Sequence, residues 1–273
     1  MNQLLVLKFG GELLEERSRL ASVVDAVAAS TARGAQVAIV HGGGKEIDAA
    51  LKVAGIEKRQ IDGLRITDDR TLDVVVSVLA GTINTRLVAA LTTAGVGAVG
   101  LTGADAGCGR VRRAPAHHAV DGREIDLGRV GVPSEAADPQ VVALLVERGF
   151  VPVIACIGLD DAGQLYNVNA DTFAGHLAAR LQARRLVIAG TTPGVLDASG
   201  TTMRTLERAA IDRVIDGGTA TAGMVAKLRA CEYALAHGVG DVVIVDGRDR
   251  NALEAATRDE VPASATRLAL ATA

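Results

Sequence analysis

Short apolar runs alternate with longer stretches of helical period along most of the chain. Short apolar runs between turn signals predict buried strands, whereas apolar residues recurring every three or four positions predict amphipathic helices. The predicted strands cover residues 4–7, 36–40, 96–101, 151–157, 185–189 and 241–245. One helix is predicted between the first two strands, and the others cover residues 46–54, 71–94, 139–148, 172–181, 206–215 and 223–236. This alternation predicts an α/β protein with a mostly parallel, open sheet.

Two segments depart from this rhythm. Residues 107–135 combine short β-prone pieces with turn residues and charges, which predicts a β-hairpin excursion beside the sheet. The turn at residues 160–163 marks the predicted boundary between two lobes, residues 1–165 and 166–273. The predicted helix 71–94 is apolar on two sides, so it is either a central core helix or a subunit interface.

Composition narrows the function classes. The chain has 273 residues, 49% hydrophobic and 22% charged, which is ordinary for a soluble globular protein. A net charge of −3, the lack of basic blocks and only 2% aromatic residues argue against a nucleic-acid partner. No apolar run is long enough for a membrane span, and the N-terminus lacks the pattern of a signal peptide. We therefore expect a cytoplasmic protein with no membrane partner.

The three cysteines predict no metal chemistry. They are Cys108, Cys156 and Cys231, and no two of them form a Cys-x-x-Cys pair. Buried, reduced thiols are the expected state in a cytosolic protein.

Glycine turns placed directly after predicted strands are the strongest chemical signal. Gly10-Gly11, residues 42–44 and residues 100–103 each follow a strand. A strand that runs into glycine-rich backbone and then a helix presents free N–H groups to an anion. None of the three turns matches the dinucleotide or P-loop fingerprint. Several such turns at one sheet edge predict a shared crevice that binds phosphate.

A few charged and polar side chains stand beside these turns. Lys8 ends a buried strand, where a lysine is costly unless it faces an anion. Arg65 could clamp a carboxylate, although a lone arginine is more often a surface residue. Asn167, Asn169 and Asp171 put three polar side chains at the start of a predicted helix, where an N-cap cluster is the plainer interpretation. Lys227 opens another amphipathic helix and could equally be solvated.

In chain order the motifs read Lys-x-Gly-Gly, His-Gly-Gly-Gly, GLRITD, AGTIN, GLTGAD, NVNAD and GMVAK. This set resembles the amino-acid kinase family over nearly the whole chain, from Lys8 to about residue 248. GLRITD and NVNAD are similar to the branch that acts on N-acetyl-L-glutamate. The resemblance implies a three-layer αβα sandwich in which residues 1–165 bind the acyl amino acid and dimerise, and residues 166–273 bind ATP. It implies ATP-dependent phosphorylation of the γ-carboxylate of N-acetyl-L-glutamate in arginine biosynthesis, by a homodimer.

The same resemblance implies residue roles. Lys8 and Lys227 neutralise the transferring phosphoryl group, Asp171 orients them, and Gly11 and Gly44 donate backbone N–H groups. The acyl amino acid is held by Gly43, Gly44, Arg65 and Asn167. The ATP site comprises Thr191, Gly194, Val195, Leu196, Thr219 and Thr221. Mg²⁺ is carried mainly on the ATP phosphates, with no protein metal ligand expected.

Departures from the family pattern leave alternatives open. Thr191 stands in a segment where relatives usually carry an aspartate, which bears on nucleotide binding. The chain begins at the first strand, without the extra N-terminal helix of arginine-inhibited relatives, so we expect arginine insensitivity. The alternatives are a kinase for N-succinylglutamate or N-acetyl-2-aminoadipate, and a non-catalytic sensor that binds nucleotide or amino acid.

Overall fold

The computed structural model describes residues 4–119, 122–217, 221–258 and 260–270. Its strands, numbered in chain order, are β1 Leu4–Phe9, β2 Gln36–His41, β3 Gln60–Ile61, β4 Leu64–Arg65, β5 Ala98–Thr102, β6 Val111–Arg113, β7 His117–His118, β8 Glu124–Ile125, β9 Val130–Pro133, β10 Val151–Ala155, β11 Ile157–Leu159, β12 Leu165–Val168, β13 Arg185–Gly190, β14 Thr205–Glu207, β15 Asp241–Asp246 and β16 Thr266–Ala269. Its α-helices are α1 Arg17–Ala32, α2 Gly44–Val53, α3 Asp69–Val76, α4 Asn84–Thr93, α5 Gln140–Glu147, α6 Ala170–Arg180, α7 Ile211–Asp216, α8 Ala222–Ala236 and α9 Arg250–Thr257.

A single large sheet forms the centre of the described structure. Its strand order is β14-β16-β15-β13-β1-β2-β10-β5, and β1 pairs in parallel with both β2 and β13. The β15–β16 pairing is antiparallel, and β14 runs parallel to β16. Every residue of β1 and β13 is buried, as expected for parallel strands covered on both faces.

Helices pack on both faces of this sheet. Helix α1 contacts α4 and α9, whereas α6 packs against α8 and against β1 and β13. The result is an αβα sandwich, which confirms the predicted α/β class with its mostly parallel, open sheet. Leucine, valine and isoleucine fill most of the core, as the low aromatic content predicts.

The predicted helix 71–94 is a continuous helix from Asp69 to Thr93 with a π-helical segment, Ser77–Ile83, between α3 and α4. Its most deeply buried side chains lie four residues apart, at Val75, Leu79, Ile83, Leu87 and Leu91. In an α-helix, four residues advance by about 400°, so such a stripe drifts around the axis by about 40° at each step. The wider π-helical turns take in more residues and offset that drift.

The opposite side of this helix is exposed in the single chain, where small and polar residues such as Ser77, Gly81 and Thr85 lie. By length and composition this helix could cross a membrane, but core helices pass the same test. Its inner stripe is packed in the protein core. Its role as a subunit interface stays a prediction.

The excursion predicted at residues 107–135 is confirmed. Strands β6 and β9 join β11 and β12 in a small second sheet, and β7 pairs with β8 as a separate hairpin. A further hairpin, β3–β4, turns at Asp62-Gly63, where both residues have positive φ (46° and 80°) as a type I′ turn requires. The turn at residues 160–163 joins β11 to β12, and the division into lobes stays a prediction.

Two predicted elements are wrong in part. The predicted helix 206–215 begins as strand β14, which pairs with β16, and only Ile211–Asp216 is α-helical. The predicted strand 151–157 divides at Cys156, so that β10 lies in the main sheet and β11 in the small one. Helix α9 and strands β12 and β16 have no counterpart in the sequence prediction.

Candidate active site

A cleft of about 430 Å³ opens at the carboxyl ends of β1 and β2. Because parallel strands end at the same edge of a sheet, the two glycine turns that follow β1 and β2 meet there. The cleft brings together eight of the residues predicted from the sequence, namely Lys8, Gly11, Gly43, Gly44, Arg65, Asn167, Asp171 and Lys227.

Two lysines share one carboxylate at the base of the cleft. Lys8 Nζ lies 2.7 Å from Asp171 Oδ1, and Lys227 Nζ lies 3.1 Å from Asp171 Oδ2. Lys8 and Asp171 are only 5% and 6% exposed, so both charges are taken out of bulk water. With the partly buried Lys227, the cluster of two lysines and one carboxylate carries one net positive charge, which suits a site for an anion.

The electrostatics keep Lys8 and Asp171 ionised. Burial alone lowers the pKa of Lys8, but the neighbouring Asp171 outweighs it and the net pKa is raised. Burial alone raises the pKa of Asp171, but Lys8 and Lys227 together bring it below its ordinary value. At neutral pH Asp171 is therefore a carboxylate and Lys8 is an ammonium group.

Helix α6 places Asp171 in its first turn. The preceding Asn169 caps the helix, since its Oδ1 accepts hydrogen bonds from the backbone N–H groups of Asp171 (2.9 Å) and of Thr172 (3.0 Å). Lys227 comes from α8, which crosses α6 closely at Gly175. A Cβ at Gly175 would lie 2.7 Å from the carbonyl oxygen of Ala230 in α8. The glycine thus permits the approach that brings Lys227 to Asp171.

The two glycine turns touch each other through their backbones. A Cβ at Gly11 would lie 2.6 Å from Gly43 Cα, and a Cβ at Gly43 would collide with Ile83 and Leu79 of the π-helical segment. Both positions therefore require glycine for close packing. Gly44 differs, because a Cβ there would meet no heavy atom within 4 Å. Gly44 begins α2, so its backbone N–H is one of the free donors at a helix start.

Arg65 reaches the cleft from strand β4. Its Nη2 forms an ion pair with Asp48 of α2 and donates to the carbonyl oxygen of Gly44 at 3.3 Å. Asp48 also accepts from Lys58 Nζ at 2.7 Å. The other terminal nitrogen, Arg65 Nη1, is buried and has no hydrogen-bond partner in the described part of the chain. It is an available donor for a carboxylate, and the predicted clamp on the acyl amino acid stays a prediction.

Asn167 lies on strand β12 rather than at the helix start predicted for it, because it pairs with β9 and β11, and it also lines the cleft. Its Nδ2 donates to Thr67 Oγ1 at 3.3 Å, and its backbone N–H donates to the carbonyl oxygen of Arg129 at 2.9 Å. Strand and side-chain contacts therefore hold the amide in the cleft that Arg65 also lines, and its role in binding the acyl amino acid stays a prediction.

The third glycine turn, residues 100–103, does not line this cleft. A Cβ at Gly103 would collide with the carbonyl oxygen of Ile157, and one at Gly100 would collide with the side chain of Asn84. These glycines serve close packing at the edge strand β5, so their assignment to a shared phosphate crevice is wrong.

Of the residues assigned to ATP, the structure describes Thr191, Gly194, Val195, Leu196 and Thr221, and none of these five lines the cleft. Thr191 follows the last residue of β13. Gly194 has φ of 77°, and the backbone N–H of Val195 donates to Thr266 Oγ1 at 2.8 Å, while Leu196 is 41% exposed. Thr221 caps α8 through a hydrogen bond from the backbone N–H of Met224. Thr219 lies outside the described residues, and the nucleotide site stays a prediction.

Sequence reasoning missed four charged residues of the cleft, namely Glu12, Lys45, Asp48 and Lys58. The Glu12 carboxylate lies over Gly10, and its Oε1 lies 3.5 Å from the position of a Cβ at Gly190. It forms no ion pair with any residue that the structure describes. A carboxylate one residue after the first glycine turn was visible in the sequence. The pairing of Asp48 with Arg65 was not visible, because it joins distant elements.

The cysteines and the His117-His118 pair have other surroundings in the structure. All three cysteines are free and buried, and burial raises the pKa of the Cys156 thiol to about 12. His117 Nε2 pairs with Asp62 Oδ2 at 2.8 Å, joining the β7–β8 and β3–β4 hairpins. Across the described ranges, no three metal-ligating side chains cluster together.

This fold and cleft define an amino acid kinase. The model of the amino acid kinase family matches residues 3–246, and the chain belongs to that family. It is similar to the acetylglutamate kinase of Nitrosomonas eutropha, with 39% identity over 253 residues that cover 92% of this chain and 85% of that protein. It is also similar to the acetylglutamate kinase of Solibacter usitatus, with 40% identity over 92% of this chain and 93% of that protein.

Among solved structures, the fold resembles that of N-acetylglutamate synthase from Neisseria gonorrhoeae complexed with coenzyme A and N-acetyl-glutamate. The TM-score is 0.82 at 24% identity, over 99% of this chain and 60% of that one. At this identity the likeness concerns the fold alone.

Proposed function

We propose that this protein transfers the γ-phosphoryl group of ATP to the γ-carboxylate of N-acetyl-L-glutamate, as a step of arginine biosynthesis. The product is N-acetyl-L-glutamyl 5-phosphate, and ADP is released. The observation that carries the proposal is the Lys8–Asp171–Lys227 cluster between two glycine turns. The names of its curated relatives support the choice of acceptor.

The chemistry needs charge relief more than proton transfer. The acceptor carboxylate is ionised at pH 7, so it attacks the γ-phosphorus without a general base while the bond to the ADP oxygen breaks. Catalysis of phosphoryl transfer rests mainly on positioning and electrostatic stabilisation. Lys8 and Lys227 supply positive charge, and the backbone N–H groups of Gly11 and Gly44 supply donors for the phosphoryl oxygens.

The acyl amino acid would occupy the part of the cleft lined by Gly43, Gly44, Arg65 and Asn167. Arg65 Nη1 is the buried donor that lacks a partner, so a substrate carboxylate would satisfy it. The Asn167 amide offers a further polar contact. These contacts recognise an α-carboxylate and an amide, which other acyl amino acids share.

ATP would bind on the side of Thr191, Gly194, Val195, Leu196, Thr219 and Thr221, the segments that follow β13 and precede α8. Mg²⁺ would be carried mainly on its phosphates, where it neutralises negative charge. Glu12 suits such an ion, since Mg²⁺ takes oxygen ligands and is often held by one or two carboxylates together with phosphates.

We further propose that the protein is a cytoplasmic homodimer that associates through the helix from Asp69 to Thr93. Val74, Val76, Ala80 and Val88 of that helix are only partly buried in the single chain, and a second copy would cover them.

The test is ADP release by the purified protein with MgATP and one acceptor at a time. The acceptors are N-acetylglutamate, N-succinylglutamate, N-acetyl-2-aminoadipate and free glutamate, with an Asp171→Asn variant as the inactive control. Turnover specific to N-acetylglutamate supports the proposal. Turnover with another acyl compound would keep the mechanism and reject the acceptor. A folded protein that turns over none of them would refute the enzyme and favour a non-catalytic sensor.

A further inference from the structure

A buried histidine and a buried asparagine lie behind the second glycine turn. His41 ends β2 and is 0% exposed, while Asn84 begins α4 and is 5% exposed. Asn84 Nδ2 lies 3.1 Å from His41 Nε2 and 2.8 Å from the carbonyl oxygen of Val153. His41 Nδ1 lies 3.3 Å from the carbonyl oxygen of Gly42, the first residue of the turn.

These contacts define the protonation of the imidazole. The Val153 carbonyl can only accept a hydrogen bond, so the nitrogen of the Asn84 amide faces it and also donates to His41 Nε2. A ring nitrogen that accepts carries no proton, so the proton lies on Nδ1 and is donated to Gly42. Burial, with a smaller contribution from the charge of Arg86, lowers the pKa of His41 to about 4, and the ring is neutral at pH 7.

The helix that carries Asn84 also contacts the second glycine turn directly. Leu79 and Ile83 of the π-helical segment pack on Gly43 so closely that no Cβ fits there, and Asn84 is the next residue along. Gly100 of β5 has no Cβ to displace the Asn84 side chain. Segments of π-helix occur often at functional sites. Here the segment is in contact with both the backbone of the turn and the residue that holds His41.

We propose that Asn84 and His41 are positioning residues that transmit the placement of the π-helical segment to the Gly42 peptide. Asn84 orients the ring, the ring holds the Gly42 carbonyl, and the N–H groups of Gly43 and Gly44 are thereby aimed into the cleft. Neither side chain lines the cleft, so neither contacts the substrates. The kinetic part of this inference rests on the proposed function.

Two substitutions of His41 test separately its hydrogen bond from Asn84 and its hydrogen bond to Gly42. In His41→Gln an amide oxygen can reach the position of Nε2 and keep the bond from Asn84, while the bond to Gly42 is lost. In His41→Asn an amide nitrogen can take the position of Nδ1 and keep the bond to Gly42, while the bond from Asn84 is lost. Because misplacement of a reacting group by about 1 Å can cost about 100-fold, we expect kcat/KM for the acyl amino acid to fall about 10- to 100-fold in each.

The KM for ATP should change less than twofold in both variants. Of Gly43 and Gly44, only Gly44 is assigned a contact with ATP, and only at the transferring γ-phosphoryl group. The matched control is His118→Gln on the exposed hairpin, which should leave both constants unchanged. Folded variants with unchanged kcat/KM for the acceptor would overturn the proposal. An equal rise in both KM values would also overturn it, because that indicates a general structural defect.

Nitrogen-15 NMR of the imidazoles tests the pair in the wild-type protein without any substrate. The expected signal at pH 7 is a neutral ring protonated at Nδ1 for His41, which Asn84→Ala should remove or shift. A ring protonated at Nε2 would refute the proposed hydrogen bonds from Asn84 to His41 and from His41 to Gly42. If the wild type turns over none of the acyl amino acids, the proposed function fails, but this measurement still decides the geometry.

Discussion

Replacing Lys8 by methionine removes one of the two cations of the cleft while keeping a long, flexible side chain of similar size. Lys8 contributes an ammonium group 2.7 Å from Asp171 and at the carboxyl end of β1. In the variant, Asp171 keeps Lys227 as its partner at 3.1 Å. The carboxylate therefore stays paired, and the net positive charge of the cluster is lost.

The expected effects on catalysis and on folding differ in size. Removal of one preorganised donor to a transition-state charge typically costs about 3–4 kcal/mol, which corresponds to a decrease of about 10²- to 10³-fold in kcat. Folding loses one charge-assisted hydrogen bond, worth about 1.5–3 kcal/mol, but no longer has to bury the Lys8 ammonium group. We therefore expect the free energy of unfolding to fall by no more than about 2 kcal/mol.

The assay is ADP release with saturating MgATP and N-acetylglutamate, together with urea unfolding of the same preparations. Lys52→Met is the control, because Lys52 is exposed on α2 and does not line the cleft. A Lys8→Met variant with kcat within twofold of the wild type would refute the assigned role. A variant that loses activity only because it has unfolded would leave a large change in the urea midpoint, and would refute the argument that Asp171 remains satisfied.

Three further predictions concern the acceptor site, the glycine turns and pH. Arg65→Ala should raise the KM for the acyl amino acid about 10- to 100-fold, since a charged hydrogen bond is worth about 1.5–3 kcal/mol, with little change in the KM for ATP. Gly11→Ala should destabilise folding by about 1–3 kcal/mol in urea, because its Cβ would be forced against Gly43. Gly44→Ala should change stability by less than about 0.5 kcal/mol. The free energy of unfolding should also fall by about 2–3 kcal/mol between pH 7 and pH 4.5 because of His41. Its pKa is about 4 in the folded protein and 6.5 in the unfolded chain. Between these two pH values only the unfolded chain binds the proton, so acid favours unfolding.

Each of these has a distinct contrary result. An Arg65→Ala variant that affects both KM values equally would show that the guanidinium does not select the acceptor. Equal stability losses in Gly11→Ala and Gly44→Ala would contradict the difference in space at the two positions. For His41, the comparison is with His41→Gln, which should lack that part of the acid-dependent loss. Parallel pH curves for the two proteins would mean that His41 is not buried as a neutral ring.

The sequence is most informative where local pattern and tertiary structure agree. The strands β1, β2, β13 and β15 each contain a continuous run of at least four apolar residues, and both faces of each are covered by the fold. Strand β14 was mistaken for a helix because its pairing with the distant β16 outweighs a local pattern that suits either state. The π-helical segment Ser77–Ile83 is likewise invisible, since its apolar spacing fits an ordinary buried helix.

In the candidate site, too, the sequence predicts residues at strand ends and helix starts but not the contacts between distant elements. Lys8, Gly11 and Asp171 stand beside strand ends or helix starts, so their motifs indicate that they lie together. The Asn84–His41 contact joins residues 43 positions apart and leaves no local signal. The partner of Arg65, Asp48, is equally hidden, because ion pairs between elements depend on how hairpin and helix pack.

The central position of β1 has a consequence for synthesis. One edge of β1 pairs with β2 soon afterwards in the chain, but the other edge waits for β13, where Leu5 meets Arg185. Until β13 leaves the ribosome, a strand that is apolar except for Lys8 exposes its backbone N–H and C=O groups, which is the form of edge that recruits other chains. Fragments that stop before β13 should therefore aggregate, and the emerging polypeptide should depend on chaperones over that interval.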